Sequence, residues 1–178
     1  MRITRVHVFA GKTDAHRLLV RARDLDEDQF FTYLNLYSWA LRSQKQDEAL
    51  IFAEAAVSHA PERDDTHLAV AQSLTEMGRL EEARASAQKA VDINSNSANN
   101  LGMLGDILFR LERYRDAEGY LQQAIDIDQG LLPAIVSLAQ TKWELEEFAA
   151  ARNLLRNAQQ IAPSHPRVRQ VTAQFNAQ

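Results

Sequence analysis

Apolar residues in this chain return at the three- and four-residue spacing of amphipathic helices, and the whole pattern repeats every 34 residues. Alanines mark the repeat most clearly, because paired alanines occupy the same two places in successive frames. These pairs are Ala15 and Ala22, Ala49 and Ala56, Ala83 and Ala90, Ala117 and Ala124, and Ala151 and Ala158. A fixed period of this length is typical of stacked helix–turn–helix units. The sequence therefore predicts an all-α fold, a right-handed α–α superhelix (solenoid) of 34-residue repeats.

The period also predicts the organisation of the chain. We expect a partial repeat over residues 1–29, with its second helix at 12–27. Four complete repeats follow, at 30–63, 64–97, 98–131 and 132–165. Residues 166–178 are predicted to form a capping helix, since Val168, Val171 and Phe175 share one face and polar side chains the other. Stacked repeats bury one continuous core, so we expect one elongated domain.

Small residues predict where helices approach one another. Ala71, Gly105 and Ala139 share one place in the first helices of their repeats. They face the paired alanines of the second helices, so the helix axes are expected at the close end of the usual 8–10 Å range.

Composition narrows the class of partner and the compartment. The formal net charge is −4, and Lys and Arg are scattered among Asp and Glu, which argues against nucleic acid as the partner. Cysteine is absent, so disulfides and thiolate metal sites are excluded. No apolar stretch approaches the roughly 18 residues that a membrane span needs. Without that span or a secretory signal, we expect a cytoplasmic protein that does not insert into membranes.

The residue types that carry chemistry form no recognisable catalytic pattern. The five histidines have no metal-ligand spacing, and His59 occupies the place of Ile127 and Ile161, which predicts a partly buried core residue. Neither a glycine-rich phosphate loop nor a nucleophile elbow is present. Acidic pairs such as Glu81 and Glu82 begin the second helices, where the helix dipole favours them. We therefore expect no enzymatic activity, metal or cofactor.

These features resemble the tetratricopeptide repeat (TPR) family. The alanine pairs, the aromatic Tyr114 or Phe148 at the start of a second helix, and Pro61 and Pro163 after it carry the resemblance. The family's usual tryptophan and tyrosine in the first helix are missing, and Lys142 stands at the tyrosine position of the fourth repeat. The first and fourth repeats are therefore expected to pack differently from the others.

The resemblance implies a concave groove, lined by the first helices, that receives an extended or helical segment of a partner protein. Carried onto this chain, the groove consists of Leu34, Leu41, Arg42, Leu68, Gln72, Thr75, Asn99, Met103, Asp106, Phe109, Arg110, Val136, Gln140 and Trp143. One subgroup of the family clamps a C-terminal carboxylate with Lys, Arg and Asn. Leu34, Gln72 and Asp106 stand at such places here, so that role is not expected.

Two groups in the groove register each allow a second interpretation. Phe109 and Trp143 share one register and are either partner anchors or packing between neighbouring helices. A second register alternates in charge through Arg42, Glu76, Arg110 and Glu144. We favour a ladder of ion pairs between repeats, each contributing about 0.2–1 kcal/mol, over charges that anchor a peptide.

Three functional hypotheses follow. The first is a scaffold that binds a protein or peptide segment in the groove. The second is a self-assembly module, in which the incomplete N-terminal repeat accepts the end of another copy and forms a homo-oligomer. The third is an accessory domain of a longer protein that carries an enzyme elsewhere.

Overall fold

The computed structural model describes residues 29–177, which fold into consecutive α-helices with no strand in this range. The helices are α1 (Gln29–Arg42), α2 (Gln46–His59), α3 (Asp64–Glu76), α4 (Leu80–Ile93), α5 (Ala98–Arg110), α6 (Tyr114–Ile127), α7 (Leu132–Glu144), α8 (Phe148–Ile161) and α9 (Pro166–Asn176). The predicted helix at 12–27 lies outside the described residues.

The helices follow the predicted period. The helices α3, α5, α7 and α9 begin at Asp64, Ala98, Leu132 and Pro166, each start 34 residues after the one before. Each odd-numbered helix from α1 to α7 packs against the even-numbered helix that follows it, so four helix hairpins stack in chain order. The prediction of an all-α solenoid with 34-residue helix–turn–helix repeats is confirmed.

One turn geometry closes all four hairpins. The residues at this place are Gln44, Gly78, Glu112 and Glu146, and each has a positive φ, between 58° and 75°. A residue in the left-handed region ends a helix because it lets the next backbone N–H groups bond to the last carbonyls. Arg79 N–H donates in this way to Leu74 O at 2.9 Å. Glycine supplies the conformation only at position 78, so the other three turns hold a side chain where it is disfavoured.

Small residues lie where helices pack closely, but Gly105 meets Leu121 and not, as predicted, the paired alanines of α6. The alanine pairs of α2, α4, α6 and α8 have no exposed surface. Gly105 lies so close to α6 that an added Cβ would stand 2.5 Å from Leu121 Cγ and 3.2 Å from Leu121 N. A methyl group at position 105 would clash with the side chain and backbone of Leu121, which explains why glycine stands there.

Polar side chains fasten one hairpin to the next. Asn100 is buried, and its amide Nδ2 donates to Asp64 Oδ2 at 2.8 Å and to Ala90 O at 3.1 Å. His67 is also buried, with Nε2 2.8 Å from Pro61 O. Buried polar groups that find partners specify the packing instead of destabilising it. These contacts link α3 to the turn before it and to α4 and α5.

The prediction of a partly buried His59 is wrong. His59 is exposed at the end of α2, and its ring stacks on Tyr33 with centroids 5.4 Å apart. The isoleucines of the same register, Ile93, Ile127 and Ile161, are 42–45% exposed. This register lies at the edge of the stack, so isoleucine there does not indicate the core.

No helix within residues 29–177 has the length and apolar character required to cross a membrane.

Candidate functional site

A cavity of about 360 Å³ lies on the face formed by α3, α5 and α7, and α9 closes one side of it. We call it the groove cavity. Its walls are formed by Leu68, Gln72, Thr75, Glu76, Asn99, Gly102, Met103, Asp106, Arg110, Leu131, Pro133, Ala134 and Arg167. The volume lies within the range of about 300–1,000 Å³ that is usual for small-ligand pockets.

The predicted groove residues divide into two sets. The residues that line the groove cavity are Leu68, Gln72, Thr75, Asn99, Met103, Asp106 and Arg110. The residues that do not line it are Leu34, Leu41, Arg42, Phe109, Val136, Gln140 and Trp143. The first set comes from the middle hairpins, and most of the second set comes from the first and last hairpins.

Two of the three predicted groove residues of the last hairpin are buried, and Gln140 is half-buried. Val136 and Trp143 are 1% and 7% exposed, because α9 packs over this part of α7. The Trp143 ring stacks on Phe175 of α9, with centroids 4.0 Å apart and planes inclined by 16°. Both rings bury apolar surface in this contact, and that burial stabilises the packing of α9 on α7. Trp143 is therefore a packing residue, and Val136 and Trp143 are not surface residues of a groove.

Phe109 is also a packing residue, but it is less buried than Trp143. It is half-buried, packs against the main core, and has its ring centroid 5.7 Å from that of Tyr114. It does not line the groove cavity. Of the two interpretations open for these aromatics, the structure supports packing between neighbouring helices.

One carboxylate organises the C-terminal end of the groove cavity. Asp106 Oδ1 accepts from Ser137 Oγ and from Arg167 Nη2, both at 2.6 Å. Asp106 Oδ2 accepts from Arg110 Nε at 2.9 Å. Arg167 Nη2 also lies 2.9 Å from Ser137 Oγ and 3.3 Å from Gln140 Oε1. These bonds join α5, α7 and α9, and they hold two guanidinium groups at one carboxylate.

The environment of Asp106 keeps it ionised. Burial by itself raises the pKa of this carboxyl, since only 13% of its side chain is exposed. The charge of Arg167 and the hydrogen bonds from Ser137 and Arg167 oppose burial, and the charge of Arg110 adds to them. The balance lowers the pKa of Asp106 below its ordinary value.

The predicted ladder of ion pairs between repeats is wrong. Arg110 pairs with Asp106 of its own helix. Within residues 29–177, no ion pair joins any two of Arg42, Glu76, Arg110 and Glu144. The closer carboxylate at the i−4 position takes the guanidinium, since residues four apart are neighbours on a helix surface.

A second polar chain borders the other end of the groove cavity. The Tyr37 hydroxyl donates to Gln72 Oε1 at 2.8 Å, and Gln72 Nε2 donates to Glu76 Oε1 at 3.4 Å. Burial, followed by the charge of Glu76, raises the pKa of Tyr37. The Glu76 carboxylate is exposed and keeps acceptor capacity toward the cavity.

Sequence reasoning missed the lining residues that come from the later part of the chain, Leu131, Pro133, Ala134 and Arg167. Arg167 could have been found by continuing the period, because it stands 34 residues after Pro133, which stands 34 after Asn99. Because residues 166–178 were interpreted as a cap with a polar outer face, Arg167 was not aligned with Asn99 and Pro133. As the first-helix equivalent after the last hairpin, α9 places Arg167 at the groove.

Among residues 29–177, no three His, Cys, Asp or Glu side chains gather in a way that could hold a metal ion.

The stack of repeated helix hairpins places residues 29–177 in the α-solenoid class of helical repeat proteins. Two tetratricopeptide repeat profiles match the chain, one at residues 62–130 and the other at residues 108–175. The chain belongs to the tetratricopeptide repeat family. No curated protein matches its sequence.

Solved structures share the fold at low sequence identity. YrrB, a TPR protein with an unusual peptide-binding site, is 20% identical, with 91% of this chain and 84% of YrrB covered at a TM-score of 0.70. A thermophilic TPR protein of Thermus thermophilus, TTC0263, is 18% identical, with 94% and 91% covered at a TM-score of 0.77. MamA is 15% identical, with 84% and 88% covered at a TM-score of 0.72.

Proposed function

We propose that this chain is a non-catalytic scaffold that binds an extended or helical segment of a partner protein in the groove. The observation that carries the proposal is the groove cavity, an open space on the odd-numbered helices with an apolar floor and polar borders. Stacked repeats use such extended surfaces for binding. The peptide-binding site of YrrB, a TPR protein of similar fold, supports the same class of ligand.

The chemistry of the walls suits a peptide. Leu68, Met103 and Leu131 offer apolar surface that one large side chain of a partner can cover. The amides of Gln72 and Asn99 border this surface, and Asn99 is exposed. A peptide backbone carries one donor and one acceptor per residue, so an extended segment needs such partners when it leaves water.

The expected affinity is modest. A flexible segment loses conformational freedom when it binds, and this cost offsets part of the contact energy. We therefore expect a dissociation constant near the micromolar range, which corresponds to about −8 kcal/mol.

A matched set of variants tests the proposal. A binding segment is first isolated, and its affinity is measured by fluorescence anisotropy for wild type, Leu68→Ser, Met103→Ser and Lys89→Glu. Lys89 is exposed on α4, on the opposite side of the hairpin from the groove cavity. We expect each groove variant to weaken binding at least tenfold, since apolar contacts at the centre of an interface carry most of its energy.

Thermal melting followed by circular dichroism checks that the variants fold. Loss of binding in folded Leu68→Ser and Met103→Ser, with Lys89→Glu unchanged, supports the groove as the site. Binding that is lost in Lys89→Glu and kept in both groove variants places the site on the outer surface and refutes the proposal.

A further inference from the structure

Two arginines at the C-terminal end of the groove cavity share a single carboxylate. Arg110 and Arg167 both bond to Asp106, one to each oxygen. Ser137 donates to the same carboxylate, so Asp106 has three donors and is nearly enclosed. The three charged groups together carry one surplus positive charge. Asp106 and both arginines line the cavity wall, where the exposed Arg110 fork presents positive charge.

The arginines retain donors for a ligand. A guanidinium group has five N–H donors in a planar fork. Arg110 uses only Nε, and within residues 29–177 neither of its Nη atoms bonds to another residue. Its side chain is 46% exposed. The Asp106 bond fixes the orientation of this fork before any ligand arrives, which reduces the entropy lost on binding.

We propose that the groove selects partner segments that carry one aspartate or glutamate side chain next to a large apolar side chain. The inference rests on the proposed function and names the chemistry of its ligand. The carboxylate receives two parallel N–H bonds from the fork of Arg110, a geometry that guanidinium and carboxylate groups match well. The apolar side chain covers Leu68, Met103 and Leu131.

A negative charge on the neighbouring helix limits the ligand to one acid. Glu76 lies on α3 in the register of Arg110, one hairpin earlier, and it is exposed and lines the cavity. Its bond to Gln72 leaves its negative charge uncompensated. A second acidic residue on that side would meet repulsion, since like charges across an interface disfavour binding. A run of acids is therefore a poor ligand, and a single acid is a good one.

The source of the carboxylate is a side chain within the segment. The cavity spans α3, α5 and α7 and is open to solvent, so a segment can lie across it with both of its ends in water. A side-chain carboxylate meets Arg110 while the backbone runs on in both directions.

A display experiment tests the proposal. Short randomised segments are displayed between two fixed linkers, so that no terminal carboxylate is available. Selection is carried out on the wild-type chain, on Arg110→Gln and on Arg156→Gln. Arg156 is the matched control, because it is an exposed arginine on α8, outside the groove cavity. A parallel library with a free C-terminus is selected on the wild type.

We expect wild type and Arg156→Gln to enrich segments with one acid next to an apolar residue, and Arg110→Gln to enrich the apolar residue alone. For a selected segment, glutamate-to-glutamine substitution is expected to weaken binding to the wild type about tenfold. The same substitution in the segment leaves binding to Arg110→Gln unchanged.

Each other outcome has a definite meaning. Groove-binding segments without an acid overturn this inference and leave the proposed function standing. Enrichment in the free-terminus library alone shows that the carboxylate is terminal and overturns the inference in its stated form. No enrichment on any protein overturns both this inference and the proposed function.

Discussion

The helices α5 and α7 occupy the same place in successive hairpins, but their groove-facing sides have different environments. On α5, Gly102 lines an open cavity and Phe109 is only half-buried. On α7, Val136 and Trp143 are buried in a second apolar cluster beneath α9. The backbone geometry and the period are the same in both helices. What differs is the neighbour, since α9 covers α7 with its apolar face, formed by Val168, Val171 and Phe175.

Position within the repeat determines which face of a helix a residue lies on. Whether that face is exposed for binding or buried in packing depends on the neighbouring helix. The pair of aromatics in one register shows this directly. Trp143 is 7% exposed and stacked on Phe175, whereas Phe109 is only half-buried. A substitution in this register is therefore expected to destabilise the protein strongly at Trp143, in the last hairpin, and only weakly at Phe109, in the middle of the stack.

The largest expected effect is at Trp143. Trp143→Ala removes the stacked ring and opens a cavity under α9, so we expect a loss of about 3–5 kcal/mol in the free energy of unfolding. Phe109→Ala is the matched change in α5 and should cost roughly 1–2 kcal/mol, since part of its ring is already in water. Urea denaturation of both variants measures the difference. Equal losses would show that burial by α9 does not distinguish the two helices.

A pair of glycines gives the next effect and tests the close approach of α5 to α6. Gly105→Ala forces Leu121 to move and should cost about 1–3 kcal/mol through overpacking. Gly119→Ala on α6 meets no atom within 4 Å and should stabilise the protein by about 0.5–1 kcal/mol, because alanine favours the helix. Opposite shifts in thermal midpoint are expected. A stabilising Gly105→Ala would contradict the described packing of α5.

Acid titration should reveal the carboxylate that joins α5, α7 and α9. Because the pKa of Asp106 is lowered in the folded protein, its stabilising contribution is present above its unfolded pKa of about 3.9 and is lost as pH falls through the lower, folded value. Asp106→Asn should cost about 1–2 kcal/mol near neutral pH. The gap between wild type and this variant should narrow at low pH. A gap that stays constant down to about pH 2 would show that the ionised form makes no difference.

The smallest expected effect is at the hairpin turns, where the middle hairpins differ in sequence. Glu112→Gly relieves a left-handed φ of 60° and should stabilise by about 0.5–1 kcal/mol. Gly78→Ala imposes the strain that Glu112 already bears and should destabilise by about 1 kcal/mol. Differential scanning calorimetry of the two single variants and the double variant checks the signs. Two shifts of the same sign would refute a shared turn geometry.

The fold could be predicted from sequence because its determinants are local and repeated. Alanine pairs and helical spacing depend on neighbours within one repeat, and they return often enough to exclude chance. The environment of Trp143 could not be predicted, since it depends on how α9 packs. Arg110 shows the same limit, because its partner Asp106 was expected to bind a ligand instead. Position in the repeat therefore predicted the helix face on which each residue lies, but the tertiary contacts of that face could not be read from the sequence.

The bond between Arg167 and Asp106 has a mechanical consequence. In most stacked repeats each unit touches only the next one, so tension on the ends peels units away singly. Here Arg167 of α9 also bonds to Asp106 of α5, two hairpins away, and it contacts Ser137 and Gln140 of the intervening α7. A pulling force applied at the C-terminus must break the bond between Arg167 and Asp106 before it can separate the hairpin of α7 and α8 from the stack. We expect a rupture in which α9 and that hairpin extend together as one long step, while the hairpins nearer the N-terminus yield one at a time.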